Sequence, residues 1–314
     1  GSGSSTAALA FGGNTPPRTA LTQEWNAGIA VGAWVTGGNI NQKRSASAGA
    51  GTSRSSAIVF GGSDNPPTFG LTEQYNGTTW AELNDMNEGR NRLSGCGTVA
   101  SALAIGGSPA DSPTRSAKVE SWNGYTWTEV GDLNSIKRFV GAAGANNTAA
   151  LAFGGESPTP GTAETESWNG SAWTEVADLN TGRLILAGCG TQTAALATGG
   201  IDAPGTALGS TEIWNGSSWT EVADLNLPRQ SLSVVGITTA ALAYGAPGTD
   251  GTNTELWNGS IWVTDQPLTT SRSRMGAAGT STSAIAAGGQ TPSITNLTEE
   301  WYGDGKLTDT FTTS

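Results

Sequence analysis

The side chains with which this chain could carry out acid–base or nucleophilic chemistry are of few kinds. The sequence has no histidine, 26 Asp and Glu, 15 Lys and Arg, and two cysteines. Without histidine it lacks the commonest general base, the commonest transition-metal ligand and the usual activator of a Ser or Cys nucleophile. Carboxylates and arginines are the remaining candidates, and we expect no bound transition metal and no cofactor.

The two cysteines have the surroundings of structural residues. Cys96 and Cys189 occupy the same place in the similar segments "SGCGT" and "AGCGT", and no Lys or His stands beside either. A reactive thiol needs such a positive neighbour to lower its pKa. We therefore expect two small apolar core residues that are not joined by a disulfide.

Many of the carboxylates and arginines recur at fixed places along the chain. A glutamate precedes an aromatic residue by two positions in six copies, at Glu73, Glu120, Glu166, Glu212, Glu255 and Glu299. An arginine recurs 16 residues before a glycine pair, at Arg90, Arg138, Arg183, Arg229 and Arg272, and Arg44 lies one residue out of this register. Catalytic acid–base pairs occur once in a protein, so this repetition predicts structural Glu–Arg ion pairs that link neighbouring units, and no catalytic residue.

Two phrases repeat in step through the whole sequence. One is "ESWNGSAWTEVADLN" with its variants, and the other is "ALAFGG" or a variant, which ends at Gly13, Gly62, Gly107, Gly155, Gly200, Ala246 and Gly289. Seven copies of each stand 43 to 50 residues apart. Repeats of this period predict a propeller or another stacked array rather than several unrelated domains.

Each unit reads as four β-strands, which we name a, b, c and d. Strand b is a continuous apolar run that ends at the glycine pair, as expected for a strand buried on both faces. Asn-Gly between the two Trp-bearing segments predicts a type I′ hairpin turn between strands c and d. Units of four strands and about 45 residues predict an all-β, seven-bladed β-propeller with four-stranded antiparallel blades. It would form a single domain over 1–314, with blades at about 1–43, 44–89, 90–137, 138–182, 183–228, 229–271 and 272–314.

The repeat resembles the kelch motif over the whole chain. The shared features are the glycine pair after strand b, Glu-x-Trp/Tyr on strand c, a Trp about five residues later, and then Leu and Arg. The departures are Tyr75 for the strand-c Trp, Lys306 for the last strand-d Trp, and Ala246 for a glycine. The phrase "WNGSxWTEVADLN" is also similar to repeats in virion proteins of marine phages. The kelch resemblance implies a role in contacts with proteins, and the phage-like phrase implies attachment to a host glycan or protein.

Eleven of the twelve tryptophans recur at the strand-c and strand-d positions, where we expect them to pack between blades. Trp34, in the irregular first unit, is displaced from that pattern and its role stays open. We also expect blade one to consist of the stub "GSGS" and its own strands b, c and d. Ring closure would then rest on side-chain packing, with no strand supplied by the C-terminus and weak protection of residues 1 to 6.

The net charge of −11 makes nucleic acid an improbable partner, and no apolar run suits insertion into a membrane. We therefore expect the functional residues in the variable b–c and d–a loops, which lie on one face of the disc. The candidate ligand-binding residues there are Asp64, Asp111, Arg115, Glu156, Asp202 and Asp250. The sequence predicts a non-enzymatic binding or assembly module that recognises a protein or a glycan. We expect it to be extracellular or on a virion surface, alone or beside other domains of a longer chain. Two alternatives stay open, a histidine-independent glycosidase or lyase with Asp/Glu and Arg at the channel mouth, and an engineered repeat scaffold.

Overall fold

The computed structural model describes residues 2–3, 7–13, 19–26, 32–109, 114–158 and 160–303. The protein is an all-β propeller with six blades of four antiparallel strands. The a strands contact one another in sequence around the ring, and the a strand of blade 6 contacts that of blade 1. The prediction of seven blades is therefore wrong by one blade.

Five blades are each built from four consecutive strands, in the order a, b, c, d. Blade 1 consists of Ala48–Ser53, Ser56–Phe60, Thr72–Tyr75 and Trp80–Glu82. Blade 2 consists of Ser94–Thr98, Ser101–Ile105, Val119–Trp122 and Trp127–Glu129. Blade 3 consists of Gly141–Asn146, Ala149–Phe153, Thr165–Trp168 and Trp173–Val176. Blade 4 consists of Ala187–Thr191, Ala194–Thr198, Thr211–Trp214 and Trp219–Val222. Blade 5 consists of Ser233–Ile237, Ala240–Tyr244, Thr254–Trp257 and Trp262–Asp265.

Blade 6 joins two distant parts of the chain. Its first three strands are Gly276–Thr280, Ser283–Ala287 and Thr298–Tyr302, and its outer strand d is Ala33–Thr36. Trp301 lies opposite Trp34 in this sheet, as Trp122 lies opposite Trp127 in blade 2. The ring is thus closed by main-chain hydrogen bonds to an N-terminal strand, and the predicted closure by side-chain packing alone is wrong.

The first repeat copy forms a separate small sheet instead of a blade. Ser2–Gly3, Ala7–Gly13 and Thr19–Asn26 pair in that order as three antiparallel strands. Two irregularities of the sequence explain the difference, because the first unit has no Asn-Gly turn after Trp25 and the last unit has Lys306 where strand d needs a tryptophan. The strand with Trp34 therefore completes the last blade. The segment 310–314, which the predicted closure leaves unpaired, lies outside the described residues.

The burial pattern explains why the repeated phrases form these strands. In each of the six blades the last four residues of strand b are buried, as a strand covered on both faces requires. Strand b ends at glycines with positive φ, such as Gly106 and Gly107. A Cβ atom at Gly106 would lie 2.7 Å from the carbonyl oxygen of Lys137, so the backbone at Lys137 leaves no room for a larger residue.

The c–d turn differs from the predicted type I′ turn. In blade 2 four residues, Asn123 to Thr126, separate the paired Trp122 and Trp127, and only Gly124 among them has positive φ. The Asn123 Oδ1 atom accepts hydrogen bonds from the backbone N–H groups of Tyr125 and Thr126, both at 2.9 Å. The asparagine therefore stabilises the turn through its side chain and does not need the left-handed backbone of a type I′ turn.

The strand-d tryptophans connect neighbouring blades. The Trp127 indole N–H donates to Thr72 Oγ1 of the preceding blade, at 2.9 Å. Trp34 makes the equivalent contact with Thr254 Oγ1 of blade 5, at 3.1 Å. Trp34 is thus the strand-d tryptophan of blade 6. Over the described ranges the only helix is the 3₁₀ helix Gly248–Thr252, and no helix there is long and apolar enough to cross a membrane.

Candidate ligand-binding site

The central channel opens, on the face of the b–c and d–a loops, at a closed ring of backbone hydrogen bonds. One residue just before each strand a contributes its N–H and its C=O, and the six are Ala46, Arg92, Phe139, Ile185, Ser231 and Arg274. Each N–H donates to the carbonyl of the ring residue in the preceding blade, over N···O distances of 2.8 to 3.2 Å. The six blades are therefore tied together at the channel mouth by one cycle of bonds.

All six ring residues have a left-handed backbone, with φ between 54° and 58°. No glycine occupies any of these positions, although glycine alone adopts this conformation without steric cost. Strained non-glycine backbone that is held by its surroundings is typical of functional sites. The ring consequently presents six side chains of several kinds on one repeated backbone geometry.

A cavity of ≈ 150 Å³ lies at this mouth and is lined by all six ring residues. Among the described residues that line it, Arg92 and Arg274 are the only ionisable ones. Cavities of about this size hold a single six-membered ring such as benzene. The mouth thus combines a small concave volume with positive charge, in a protein whose net charge is −11.

Three guanidinium groups approach the ring of Phe139. The Cζ atoms of Arg92, Arg138 and Arg274 stand 5.5, 5.5 and 6.0 Å from its ring centroid. Phe139 belongs to blade 3 and Arg274 to blade 6, which are opposite blades of a six-fold ring. Arg274 therefore reaches across the mouth. Burial lowers the pKa of its guanidinium, and within the described part of the chain no carboxylate lies within ion-pair distance of it.

Two buried hydroxyl groups complete the cavity. Ser47 and Ser231 both line it and are 8% and 5% exposed. The Oγ atom of each has no hydrogen-bond partner among the described residues. A buried hydroxyl without a partner is destabilising, and such groups in native proteins require an explanation.

A buried Arg–Glu ion pair recurs in five blades, at the arginine two residues before the ring residue. The Glu120 carboxylate and the Arg90 Nη2 atom are 3.0 Å apart and both side chains are buried. The equivalent pairs are Arg44–Glu73, Arg183–Glu212, Arg229–Glu255 and Arg272–Glu299. Desolvation by burial lowers the pKa of Arg90 despite the attraction of Glu120. Glu120 lies on strand c of blade 2, and Arg90 lies in the connection between blades 1 and 2. The Arg90 carbonyl accepts from the N–H of Gly62 in blade 1, at 2.8 Å, so the arginine of this pair also contacts blade 1.

Blade 3 departs from the predicted pairing. Glu166 is bound by Lys137 Nζ at 2.9 Å, not by Arg138, whose guanidinium instead makes two hydrogen bonds to Glu156 of 2.7 and 3.1 Å. The cause is a β-bulge between strands a and b, where Gly144 and Asn146 are paired but the residue between them is not. The extra residue moves the cation from 16 to 17 positions before Gly154, and a bulge in blade 1 explains the same shift of Arg44.

The asparagine of the repeated "DLN" is a residue whose role the sequence reasoning missed. In blade 2 the backbone N–H and the side-chain amide of Asn87 donate to Glu120 Oε2, at 2.7 and 2.8 Å. Each glutamate therefore binds the repeated cation with one oxygen and the incoming connection with the other. The recurrence of this asparagine among the copies was the feature of the sequence that could have indicated its structural role.

Of the six ligand candidates chosen from the loops, the structure brings two together. Arg115 Nη2 lies 2.6 Å from Glu156 Oε1, beside Arg138. The other described candidates lie on separate blades with local contacts, Asp64 with Lys43 Nζ at 3.2 Å, Asp202 with the Thr206 N–H at 2.7 Å, and Asp250 within the 3₁₀ helix. Asp111 lies outside the described residues. None of the five lines the cavity at the mouth.

The ring residues stand at a fixed distance from the repeated cation, in a short segment whose other positions vary. The segments are "RSA", "RNR", "KRF", "RLI", "RQS" and "RSR", in which the repeated cation is first and the ring residue third. The ring residue is arginine in two blades and a different residue in each of the other four. The shift in blade 3 concealed this column, because Arg138 was aligned with the repeated cation.

Glu156 is held ionised. Burial alone would raise the pKa of its carboxyl, but hydrogen bonds from Arg138 and Arg115 outweigh that effect and leave the pKa below its ordinary value. A catalytic acid requires the opposite shift.

The other end of the channel is apolar and holds the cysteines. A cavity of ≈ 380 Å³ there is lined mainly by Gly, Ala and Thr, with Cys96 and Cys189. Both thiols are free, and burial raises the pKa of each to about 12. These cysteines therefore have the properties of packing residues.

In the described residues no cluster of three or more Cys, Asp or Glu side chains is arranged to hold a metal ion. Comparison with protein-family models and with curated proteins finds no match for this chain.

Proposed function

We propose that this protein is a binding module that recognises its ligand at the channel mouth and the surrounding b–c loops. The observation that carries this proposal is the hydrogen-bonded ring, in which one backbone geometry presents side chains of several kinds at six equivalent positions. A structural ring would be served best by glycine at every position. Varied side chains on strained backbone are expected where the side chains make contacts with a partner.

The rest of the molecule suits a rigid platform. Buried ion pairs, indole hydrogen bonds between blades and the ring of backbone hydrogen bonds hold the propeller together, so little ordering is needed when a ligand binds. Kinship with kelch repeats, an extracellular or virion-surface location and a glycan as ligand are part of this proposal. They rest on the resemblance of the repeated phrases.

No observation favours a hydrolytic enzyme in its place. A glycosidase needs one carboxylic acid with a raised pKa beside a second carboxylate. The loop-face carboxylate with a resolved shift, Glu156, has a lowered pKa and is bound by two arginines.

The test is a glycan-array measurement with the fluorescently labelled full chain. Wild type is compared with Phe139→Ala at the mouth and with Tyr125→Ala in a c–d turn on the opposite face, where Tyr125 is 79% exposed. We expect wild type and Tyr125→Ala to bind the same glycans, and Phe139→Ala to lose them while its melting temperature stays within a few degrees. Failure of wild type to bind any glycan, or equal loss in both variants, would contradict the proposal.

A further inference from the structure

Resting on the proposed function, we propose that the cavity at the channel mouth binds the carboxylate-bearing ring of an acidic sugar, a hexuronate at the end of a glycan chain. The residues that would hold it are Arg92, Arg274, Phe139, Ser47 and Ser231. They come from five blades and meet only because the propeller closes with six.

Charge selects an anion. Among the described residues that line the cavity, Arg92 and Arg274 are the only ionisable ones, and their guanidinium groups, with that of Arg138, approach the Phe139 ring. Arg274 has no carboxylate within ion-pair distance among the described residues, so an anion in the cavity would stabilise its partly buried charge. A carboxylate suits this place because the guanidinium fork donates two parallel hydrogen bonds to its two oxygens.

Size and shape select a six-membered ring. The volume of ≈ 150 Å³ limits the part of a ligand that enters the cavity to about one six-membered ring, and the open side of the cavity leaves room for the rest of the glycan. The Phe139 ring, beside the guanidinium groups that approach it, adds an apolar surface for the weakly positive C–H groups of a pyranose. The carboxylate of an Asp or Glu side chain would satisfy the arginines but would leave this surface uncovered.

The two buried hydroxyls account for the remaining polar groups of a sugar. Ser47 Oγ and Ser231 Oγ each lack a hydrogen-bond partner among the described residues and can both donate and accept. The hydroxyl groups of a hexuronate would supply those partners. A simple inorganic anion offers no donors to them.

The experiment is isothermal titration of the full chain with trigalacturonate and with its methyl ester, which has the same rings without the charge. We expect the acid to bind and esterification to weaken binding about 10- to 100-fold, as the loss of a charge-assisted hydrogen-bonded pair does. Arg274→Gln and Arg92→Gln should each weaken binding of the acid by about tenfold or more and leave binding of the ester unchanged. Tyr125→Ala is the control variant and should match wild type.

Each other outcome has a definite meaning. Equal binding of acid and ester would overturn the inference and leave the proposed glycan-binding function intact. Binding of neutral glycans on the array without binding of trigalacturonate would do the same, whereas absence of both contradicts both proposals. An Asp-rich hexapeptide that displaces trigalacturonate at lower concentration than trigalacturonate itself would assign the site to acidic peptides and overturn the inference.

Discussion

The backbone N–H of Ala46 donates to the carbonyl oxygen of Arg274 over 2.9 Å, and this contact closes the ring of six hydrogen bonds at the channel mouth. The two residues are far apart in sequence and belong to blades 1 and 6. The same two blades are also joined between their c strands by Tyr75, whose hydroxyl donates to Glu300 Oε1 at 2.6 Å. Blades 1 and 6 are thus connected both at the channel and further from it.

Replacement of Ala46 by glycine should stabilise the protein. Left-handed backbone costs an L-residue roughly 1–2 kcal/mol, which glycine avoids. Glycine in turn loses more conformational entropy on folding, which costs about 0.5–1 kcal/mol relative to alanine. We expect Ala46→Gly to raise the free energy of unfolding by about 0.5–1 kcal/mol in urea denaturation. Ala48→Gly, two residues later in extended strand a, should lower it by about 1–2 kcal/mol. Destabilisation by both substitutions would show that the ring backbone is not strained.

The sequence predicted the four-stranded blade because each phrase has its own local physical cause. Glycine pairs end strand b, apolar runs form it, and tryptophans mark strands c and d. The number of blades has no such local cause, because it depends on where the chain closes. The unpaired Trp34 and the missing tryptophan at Lys306 were both visible, and only in combination do they show that the first strand d completes the last blade.

An engineered disulfide tests the closing strand. Ala33 and Tyr302 lie directly opposite each other in blade 6, so their Cα atoms are within the ~7 Å that a disulfide needs. We expect Ala33→Cys with Tyr302→Cys to oxidise in air, and peptide mapping by mass spectrometry to find the two tryptic peptides joined.

The matched control is Thr36→Cys with Tyr302→Cys. Thr36 lies opposite Glu299, so it is three residues, or about 10 Å, from the required position. This pair should stay reduced. Equal oxidation of both pairs would mean that Ala33–Thr36 is not held in this register.

The site was less predictable than the fold, and blade 3 shows why. A spacing rule of 16 residues selected Arg138, but one bulged residue at strand a shifts the buried cation to Lys137. Bulges have no strong sequence pattern. The cavity itself depends on contacts between opposite blades, such as Arg274 with Phe139, which no local pattern contains.

Neighbouring cations 137 and 138 should differ sharply in their effect on stability. The buried Lys137 neutralises Glu166, and its removal leaves that carboxylate buried without a counter-ion. We expect Lys137→Ala to lower the free energy of unfolding by about 3–5 kcal/mol. Arg138→Ala removes a partner of the more exposed Glu156 and should cost about 1 kcal/mol. Urea denaturation of both variants at pH 7 compares them, and a larger loss for Arg138→Ala would contradict the assignment.

The stabilising effect of Glu156 should disappear on acidification. Its pKa is lower in the folded state than the ~4.3 of an unfolded glutamate. A group with a depressed folded pKa stabilises the fold above its unfolded pKa and loses that effect as the pH falls through the folded value. We expect wild type to exceed Glu156→Gln by about 1 kcal/mol at pH 7. That difference should shrink steadily below pH ~4.3.

Arg115→Gln supplies the matched control for this titration, since it removes one of the two arginines that depress the pKa of Glu156. In the Arg115→Gln background the effect of Glu156→Gln should be smaller at pH 7. Its loss should begin at a higher pH, because one hydrogen bond to the ionised carboxylate is gone. Urea denaturation of the four proteins from pH 3 to 7 gives the comparison. A difference between wild type and Glu156→Gln that grows as the pH falls would mean that Arg115 and Arg138 do not stabilise the ionised carboxylate.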